Sequence, residues 1–178
     1  MELPGLGVLK KDEQLDWYYT EEINMPLLNN FKIKFALSML DDFIEYKDRY
    51  SQAIKNILHA NDKCLKKVEK YIFQYYKDME EYYLENGQNK KIKKNEIWEN
   101  ITWGLEPLVS FRPEDKTVYI VFECECTWEV EHGLQITFKN GEVINKIGSY
   151  DGHLTNSDAF NRPEFESKVY ISRKDLGY

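Results

Sequence analysis

The sequence predicts an α+β fold: an antiparallel β-sheet with N-terminal strands, a central pair of helices packed on one face, and a C-terminal hairpin meander. Apolar and polar residues alternate before residue 40 and again after residue 105, as in strands with one buried face. Between these regions apolar residues recur at steps of three and four, as in amphipathic helices. Asn140-Gly141 separates two apolar runs, and this pair is typical of a hairpin turn.

The length of 178 residues and the apolar share of 42% fit a single domain. We expect this α+β domain to span residues 1–178. It divides into N-terminal strands at 1–40, a helical segment at 50–103 and a C-terminal sheet at 105–178.

The N-terminal strands are predicted from two patterns. Leu6–Leu9 and Leu15–Tyr19 flank the polar turn Lys10–Glu13, which favours a hairpin. Phe31–Leu37 alternates apolar and polar residues. One face of this last run then carries Phe31, Ile33, Phe35 and Leu37.

Two helices are predicted in the central segment. Ser51 is a suitable N-cap for a helix over Gln52–His59, and Asp62 is one for a longer helix that ends near Tyr83. The longer helix has an apolar stripe, typical of core packing, at Leu65, Val68, Ile72, Tyr75, Tyr76, Met79 and Tyr83. A short helix at Glu96–Trp103 precedes the C-terminal sheet.

The strongest predicted strand is Thr117–Trp128. Its inner face carries Val118, Ile120, Phe122, Cys124, Cys126 and Trp128. The outer face meets solvent towards its end, at Glu123 and Glu125. We therefore expect the two cysteines to be buried, reduced and apolar in role, because a metal site would need further thiols or histidines nearby.

A two-residue turn at Asn140-Gly141 also predicts the register of the C-terminal hairpin. Lys139 then pairs with Glu142. The core side of the hairpin carries Leu134, Ile136, Phe138, Val143 and Ile147. Asn145 does not fit this apolar side, which is compatible with a bulge.

The same register brings Glu129–His132 and Tyr150–His153 to one end of the hairpin. The candidate binding residues form a polar cluster there: Trp128, Glu129, Glu131, His132, Tyr150, Asp151 and His153. Imidazole and carboxylate groups suit zinc or manganese, and a histidine oriented by a carboxylate suits acid–base catalysis. Alternatively the histidines fix the loops by hydrogen bonds, or the cluster contacts a partner. The spacing matches no zinc or hydrolase motif, so we expect no catalytic residue, metal or cofactor and favour the loop-fixing role.

Charge and the N-terminal sequence exclude several classes of protein. The net charge of −7 disfavours nucleic-acid binding, which needs a basic surface, and suits a basic protein partner. The sequence contains no run of eighteen apolar residues, so it predicts no membrane span. The N-terminus lacks a signal-peptide pattern and the cysteine count is odd, so we expect a cytoplasmic chain without disulfides.

Three strings in the C-terminal half resemble the signature of a bacterial family of uncharacterised domains. They are Trp128-x-x-Glu131-His132-Gly133-Leu134, Phe138-x-x-Gly141 and Tyr150-Asp151-Gly152-His153. The resemblance covers roughly residues 5 to 155 and includes Trp17, the Tyr75-Tyr76 helix and the Ile97-Trp98 helix. It implies no activity or catalytic residue. Relatives of this general sort resemble immunity or antitoxin-like partners in bacterial toxin systems, which is an analogy.

Two functional hypotheses follow. The first is a non-enzymatic protein-binding domain of the immunity or antitoxin-like kind. Acidity, the 15% aromatic share and the absence of a recognisable catalytic set support it, because Tyr and Trp serve interfaces well. The second is a metal-dependent or acid–base hydrolase that uses His132, Asp151 and His153.

Overall fold

The computed structural model of the protein describes residues 1–38, 43–84 and 91–178. Residues 39 and 40 of the predicted N-terminal strands, and residues 85–90 of the predicted helical segment, lie outside the described residues. The helices are α1 (Phe43–Leu58), α2 (Asp62–Leu84) and the short α3 (Asn156–Phe160). The strands are β1 (Glu2–Leu3), β2 (Gly7–Val8), β3 (Lys10–Asp12), β4 (Trp17–Tyr19), β5 (Ile23–Met25), β6 (Phe31–Ile33), β7 (Ala36–Ser38), β8 (Ile101–Thr102), β9 (Leu108–Arg112), β10 (Thr117–Cys126), β11 (Glu129–Lys139) and β12 (Val143–Gly148). Short 3₁₀ helices occupy Pro26–Leu28, Lys94–Asn100, Pro163–Phe165 and Arg173–Leu176.

The main sheet has the strand order β12-β11-β10-β9-β7-β4-β3, and β8 also pairs with β10. The predicted α+β class is confirmed. The sheet is antiparallel except between β7 and β9, which are parallel. The predicted antiparallel sheet is thus confirmed apart from this one pair, which is parallel because the chain leaves the sheet after β7 and returns through α1 and α2, a connection long enough for a parallel pair.

Helices α1 and α2 cover one face of the sheet, as predicted. The predicted inner face of β10 is buried from Val118 to Cys126, and Trp128, just after the strand, is buried too. The stripe of α2 packs on the same core through Val68, Ile72, Tyr75 and Tyr76. The side chain of Tyr83, at the end of that stripe, lies outside the described part. None of the helices that the structure describes is long and apolar enough to cross a membrane.

Several predicted N-terminal elements are displaced. The hairpin consists of β3 and β4, so Lys10–Asp12 is a strand and not the turn. The strand predicted over Phe31–Leu37 is divided into β6 and β7, and Phe31 is exposed, whereas Phe35 and Leu37 are buried. These errors share a cause: alternation identifies apolar faces, but strand ends depend on partners that only the fold supplies.

The helix boundaries differ as well. Ser51 lies inside α1, where its hydroxyl donates a hydrogen bond to the carbonyl of Pro4 instead of capping the helix. Asn61 is the side chain that accepts the N–H of Lys63 at the start of α2. The short helix predicted at Glu96–Trp103 is a 3₁₀ helix over Lys94–Asn100.

The predicted hairpin of β11 and β12 forms around Asn140-Gly141, where both residues have positive φ angles of 52° and 69°. The predicted register is wrong, because Lys139 pairs with Val143 and not with Glu142, and Phe138 pairs with Ile144. Val143 is therefore exposed, and Ile144 takes the core position. The bulge at Asn145 is confirmed, since Thr137 pairs with Lys146 while Phe138 pairs with Ile144.

Residues 149–178 cover part of the second face of the sheet and then pass the edge of β12. Arg112 on β9 pairs with Asp158 at 2.7 Å and with Glu166 at 2.8 Å. The N–H of Ile147 donates to the carbonyl of Val169 at 2.7 Å. No strand forms at residues 169–171, but the segment still shields the open edge of β12.

Replacing Gly141 by alanine should destabilise the fold by about 1 kcal/mol or more. A Cβ atom on Gly141 would lie 2.0 Å from the carbonyl oxygen of Ala53 on α1, at a φ angle of +69°. Chemical unfolding would measure the change in free energy. Gly148→Ala is the matched control, because its Cβ would meet nothing within 4 Å. Equal effects from both variants would contradict the close packing of this turn.

Cys124 and Cys126 should resist a thiol reagent in the native state, and Cys64 should react first. Burial raises the pKa of Cys124 to about 12 and that of Cys126 to about 11, so neither thiol ionises near neutral pH. Cys64 is only partly buried. Ellman titration should find three reactive thiols in denaturant, and Cys64→Ser should remove any fast native phase. Rapid native labelling of Cys124 would overturn this assignment.

Candidate functional site

A groove of about 840 Å³ lies on the second face of the sheet, opposite the helices. Its floor is the outer face of β10, with Val121, Glu123 and Glu125. The sequence predicts that Glu123 and Glu125 meet solvent, and both are exposed. Tyr150 marks the side of the groove where the chain leaves β12.

Strand pairing is interrupted on both sides of this floor. On one side Val121 pairs with Leu108 and Glu125 pairs with Thr102, so residues 103–107 loop out. On the other side Cys124 pairs with Leu134 and Cys126 pairs with Glu129, so residues 130–133 face Glu125 alone. We call residues 103–107 the first wall and residues 130–133 the second wall. Such irregularities bend the local chain and re-aim its side chains.

Each wall contains a glycine that lies directly against β10. A Cβ on Gly104 would lie 2.1 Å from the carbonyl oxygen of Glu123, and one on Gly133 would lie 2.4 Å from that of Cys124. Gly133 also has a φ angle of +66°. No other residue fits such close backbone approach, so these glycines fix the position of both walls.

A buried carboxylate holds the second wall. Glu129 accepts hydrogen bonds from the N–H groups of Glu131 at 2.9 Å and His132 at 2.8 Å. Its side chain is 3% exposed, whereas that of His132 is 61% exposed and its Nδ1 lies 3.5 Å from Glu129. Tyr75 on α2 adds a hydrogen bond to the carbonyl of Gly133 at 3.0 Å. The Glu129 carboxylate thus holds this loop through two backbone N–H groups and also contacts the His132 imidazole, whose own role in fixing the loop stays a prediction.

The second histidine belongs to a different arrangement. Asp151 accepts the N–H of His153 at 2.9 Å and pairs with Lys146. Gln135 accepts the N–H of Asp151 at 3.2 Å and donates to the carbonyl of His153 at 2.7 Å. The His153 imidazole is half exposed. Here too an amide and a carboxylate hold the loop by hydrogen bonds to its backbone, and Nδ1 of the His153 imidazole lies 3.4 Å from the Asp151 carboxylate.

The seven predicted site residues therefore divide into two groups. Glu129, Glu131, His132 and Tyr150 line the groove. Trp128, Asp151 and His153 do not: Trp128 packs in the core, 6.1 Å from the rings of both Tyr75 and Tyr76.

The groove is acidic and contains no lysine or arginine among its lining residues. Six glutamates line it: Glu99, Glu106, Glu123, Glu125, Glu129 and Glu131. Glu106 pairs with Lys34 at 3.2 Å, and Glu129 accepts backbone N–H groups. The other four glutamates have no ion-pair partner within residues 1–38, 43–84 and 91–178. The negative charges of these four glutamates are therefore not balanced by a cation in the described part of the chain.

Three aromatic residues, Trp17, Trp103 and Tyr150, also line the groove. The ring of Trp103 lies parallel to Trp98 at 6.2 Å and perpendicular to Phe122 at 5.2 Å, which fixes its orientation. Burial raises the pKa of Tyr150, and the charges of Glu123 and Asp151 raise it further. Tyr150 therefore keeps its proton at neutral pH and offers a neutral hydroxyl.

The chemistry available in the groove is limited. Glu129, Glu131 and His132 have donor atoms within 4.8 Å of one another, so this set could hold a metal ion. However, both oxygens of Glu129, the most buried of these three residues, accept hydrogen bonds from backbone N–H groups of the second wall. A metal ion would have to compete with these hydrogen bonds. The groove cysteines, Cys124 and Cys126, have raised pKa values because of burial and are poor nucleophiles.

The predicted site residues did not include most of the groove lining, in particular its other aromatic and acidic residues: Trp17, Glu99, Trp103, Glu106, Glu123 and Glu125. The string Trp103-Gly104-Leu105-Glu106-Pro107 between two strands was an available signal. It combines an aromatic residue with a glycine and a proline, two residues that mark irregular backbone in sheets.

Comparison with known proteins identifies one family. A family model described as "Domain of unknown function (DUF6985)" matches residues 5–154. The matched region contains every residue that lines the groove. No curated protein and no solved structure matches the chain.

Glu129→Gln should destabilise the protein by about 1–3 kcal/mol. The glutamine amide has one acceptor oxygen, so its NH₂ group would meet one of the two backbone N–H donors. Thermal and chemical unfolding would measure the loss. Glu131→Gln makes the same chemical change on an exposed neighbour and should alter stability by less than about 0.5 kcal/mol. Similar losses in both variants would show that Glu129 does not hold the wall.

Proposed function

The chain belongs to the DUF6985 family of domains of unknown function, and we propose that it is a non-enzymatic protein-binding domain whose acidic groove binds a basic partner. One observation carries the proposal. Six glutamates line a concave surface that has no lysine or arginine among its lining residues. Surface charges in proteins are commonly interspersed in sign, and a groove of a single sign is suited to a ligand of the opposite sign.

Electrostatics explain how such a groove would select a partner. Carboxylates on a concave wall focus the negative potential, which attracts cationic groups and raises the rate of encounter. The net charge of −7 adds to this field at longer range. Like charges repel nucleic acid, so the same field selects against phosphate ligands.

The hydrolase alternative has less support from the site. It required His132, Asp151 and His153 to act together, yet only His132 lines the groove. Asp151 pairs with Lys146 and accepts the N–H of His153, so its oxygens serve the loop. An activated nucleophile next to a base, which hydrolysis by covalent catalysis requires, is not among the described groove residues.

We further propose that the domain is an immunity or antitoxin-like protein of the bacterial cytoplasm. The partner would be a toxin with a basic working surface. A toxin that acts on nucleic acid must bind phosphates through lysine and arginine. An acidic groove could cover those same side chains and so block the toxin.

The double variant Glu123→Lys/Glu125→Lys should weaken the binding of a fluorescent octalysine peptide by about tenfold or more, because it places two cations on the groove floor. Fluorescence anisotropy at low salt would measure Kd.

The matched control is Glu45→Lys/Glu164→Lys, which has the same net charge. Both residues are exposed, lie outside the groove and have no ion pair among the described residues. We expect a change of less than about threefold for this control. If both double variants lose affinity equally, net charge and not the groove governs binding, and the proposal fails.

A further inference from the structure

We infer that the groove binds an extended segment of a partner protein in which a bulky apolar residue is followed or preceded, at alternate positions, by two basic residues. This inference rests on the proposed function and names the sequence pattern that the partner would present. It follows from a division of the groove along β10, where one end of the floor is apolar and the other end is acidic.

The apolar end lies where β9 pairs with β10. Leu108 and Val121 are direct cross-strand partners, and both line the groove. Neither belongs to the core between the helices and the sheet, whereas their strand neighbours Val109 and Phe122 do. Since successive residues of a strand point to opposite faces, Leu108 and Val121 lie on the second face of the sheet.

Two further apolar side chains border this end. Leu105 on the first wall is 47% exposed and lines the groove. Trp17 lines it too, and because its neighbour Tyr18 on β4 packs against the core under the helices, Trp17 points to the second face. Val121 is almost fully buried and forms the bottom, so the accessible apolar surface comes from Leu108, Leu105 and Trp17.

The acidic end begins two residues further along β10. Glu123 and Glu125 follow Val121 at alternate positions, so the three side chains point to the same face. Both carboxylates are exposed, and neither makes an ion pair or a side-chain hydrogen bond with the residues that the structure describes. Val130 on the second wall is 82% exposed and can cover the methylene groups of a basic side chain that reaches this end.

An extended segment matches this order of groups. Alternate residues of a strand are about 6.4–6.8 Å apart, so such a segment presents side chains at the same intervals as Val121, Glu123 and Glu125. An apolar residue over Leu108 then places basic residues over the two carboxylates. A purely basic segment would instead place a cation over the apolar end, where that cation would lose water without gaining a partner.

Charge favours a partner protein over a second copy of this chain as the source of the segment. The chain has a net charge of −7, and the groove lining has no lysine or arginine. Two copies would bring like charges together, which is unfavourable across an interface. A basic segment from another protein would neutralise Glu123 and Glu125.

Three capped nine-residue peptides of identical composition would test the order of residues on the full chain. Each has two lysines and one leucine at alternate positions among serines, with the leucine before, after or between the lysines. The first two peptides cover both chain directions. Fluorescence anisotropy at low salt should show that the tighter of them binds about tenfold better than the peptide with leucine between the lysines. A fourth peptide with glutamine in place of lysine should not bind measurably.

Leu105→Ser should reduce this preference to less than about threefold, because it removes accessible apolar surface from that end. The matched control is Leu15→Ser, since Leu15 is 58% exposed and lies outside the groove lining. The preference should persist in the control. Circular dichroism would check that both variants are folded.

Intermolecular nuclear Overhauser effects in the wild-type protein avoid dependence on any variant. The leucine methyl groups of the tighter peptide should show such effects to the methyl groups of Leu108 and Leu105. Val143, which is 62% exposed and outside the groove lining, is the internal control.

The outcomes separate the two proposals. If the three leucine peptides bind equally, if the preference survives in Leu105→Ser, or if the peptide leucine contacts Val143 instead, the inference is wrong but basic segments still bind the groove. If the lysine peptides bind no better than the glutamine peptide, the proposed function itself fails. Self-association of the free protein that the peptides reverse would make a second copy the occupant and would overturn the inference.

Discussion

Two glycines lie against the backbone of β10 with no room for a side chain, and the groove depends on this close approach. Gly104 and Gly133 contact opposite edges of the strand, near the carbonyls of Glu123 and Cys124. Pairing with β10 is interrupted beside both glycines, so residues 103–107 and 130–133 leave the plane of the sheet and form the two walls. Without the interruptions a regular sheet would leave Glu123 and Glu125 on a flat surface. The concave shape therefore follows from the backbone, and the charge follows from the side chains.

Neighbouring carboxylates in this region differ in burial and in hydrogen bonding. Glu129 is buried, and burial of a charge is costly unless hydrogen bonds compensate it. Two backbone N–H groups provide that compensation. Glu131, two residues away, is exposed and makes no ion pair in the part of the chain that the structure describes. The same motif thus contains one carboxylate that holds the second wall and one that is exposed, and the motif alone does not reveal which is which.

The sequence predicts the layers of this fold but not its interruptions. Apolar periodicity identifies the inner face of β10 and the stripe of α2, because burial on one face imposes it. It cannot choose between Val143 and Ile144 for the core, since both are apolar and the bulge at Asn145 shifts the register. The candidate site has the same limit. His132 and Glu129 lie near one another in sequence, whereas Trp17, Glu99 and Trp103 reach the groove only through tertiary contacts.

The charge of the groove persists because the cations of the second face are already paired. Arg112 binds Asp158 and Glu166; burial alone would lower its pKa, but these hydrogen bonds raise it. Lys139 pairs with Asp115 at 2.8 Å. Burial lowers the pKa of Lys146, and its pairing with Asp151 partly offsets that effect. Residues 149–166 thus bind two of these three cations, Arg112 and Lys146, on the face of the sheet opposite the helices. Glu123 and Glu125 therefore have no ion-pair partner in the part of the chain that the structure describes.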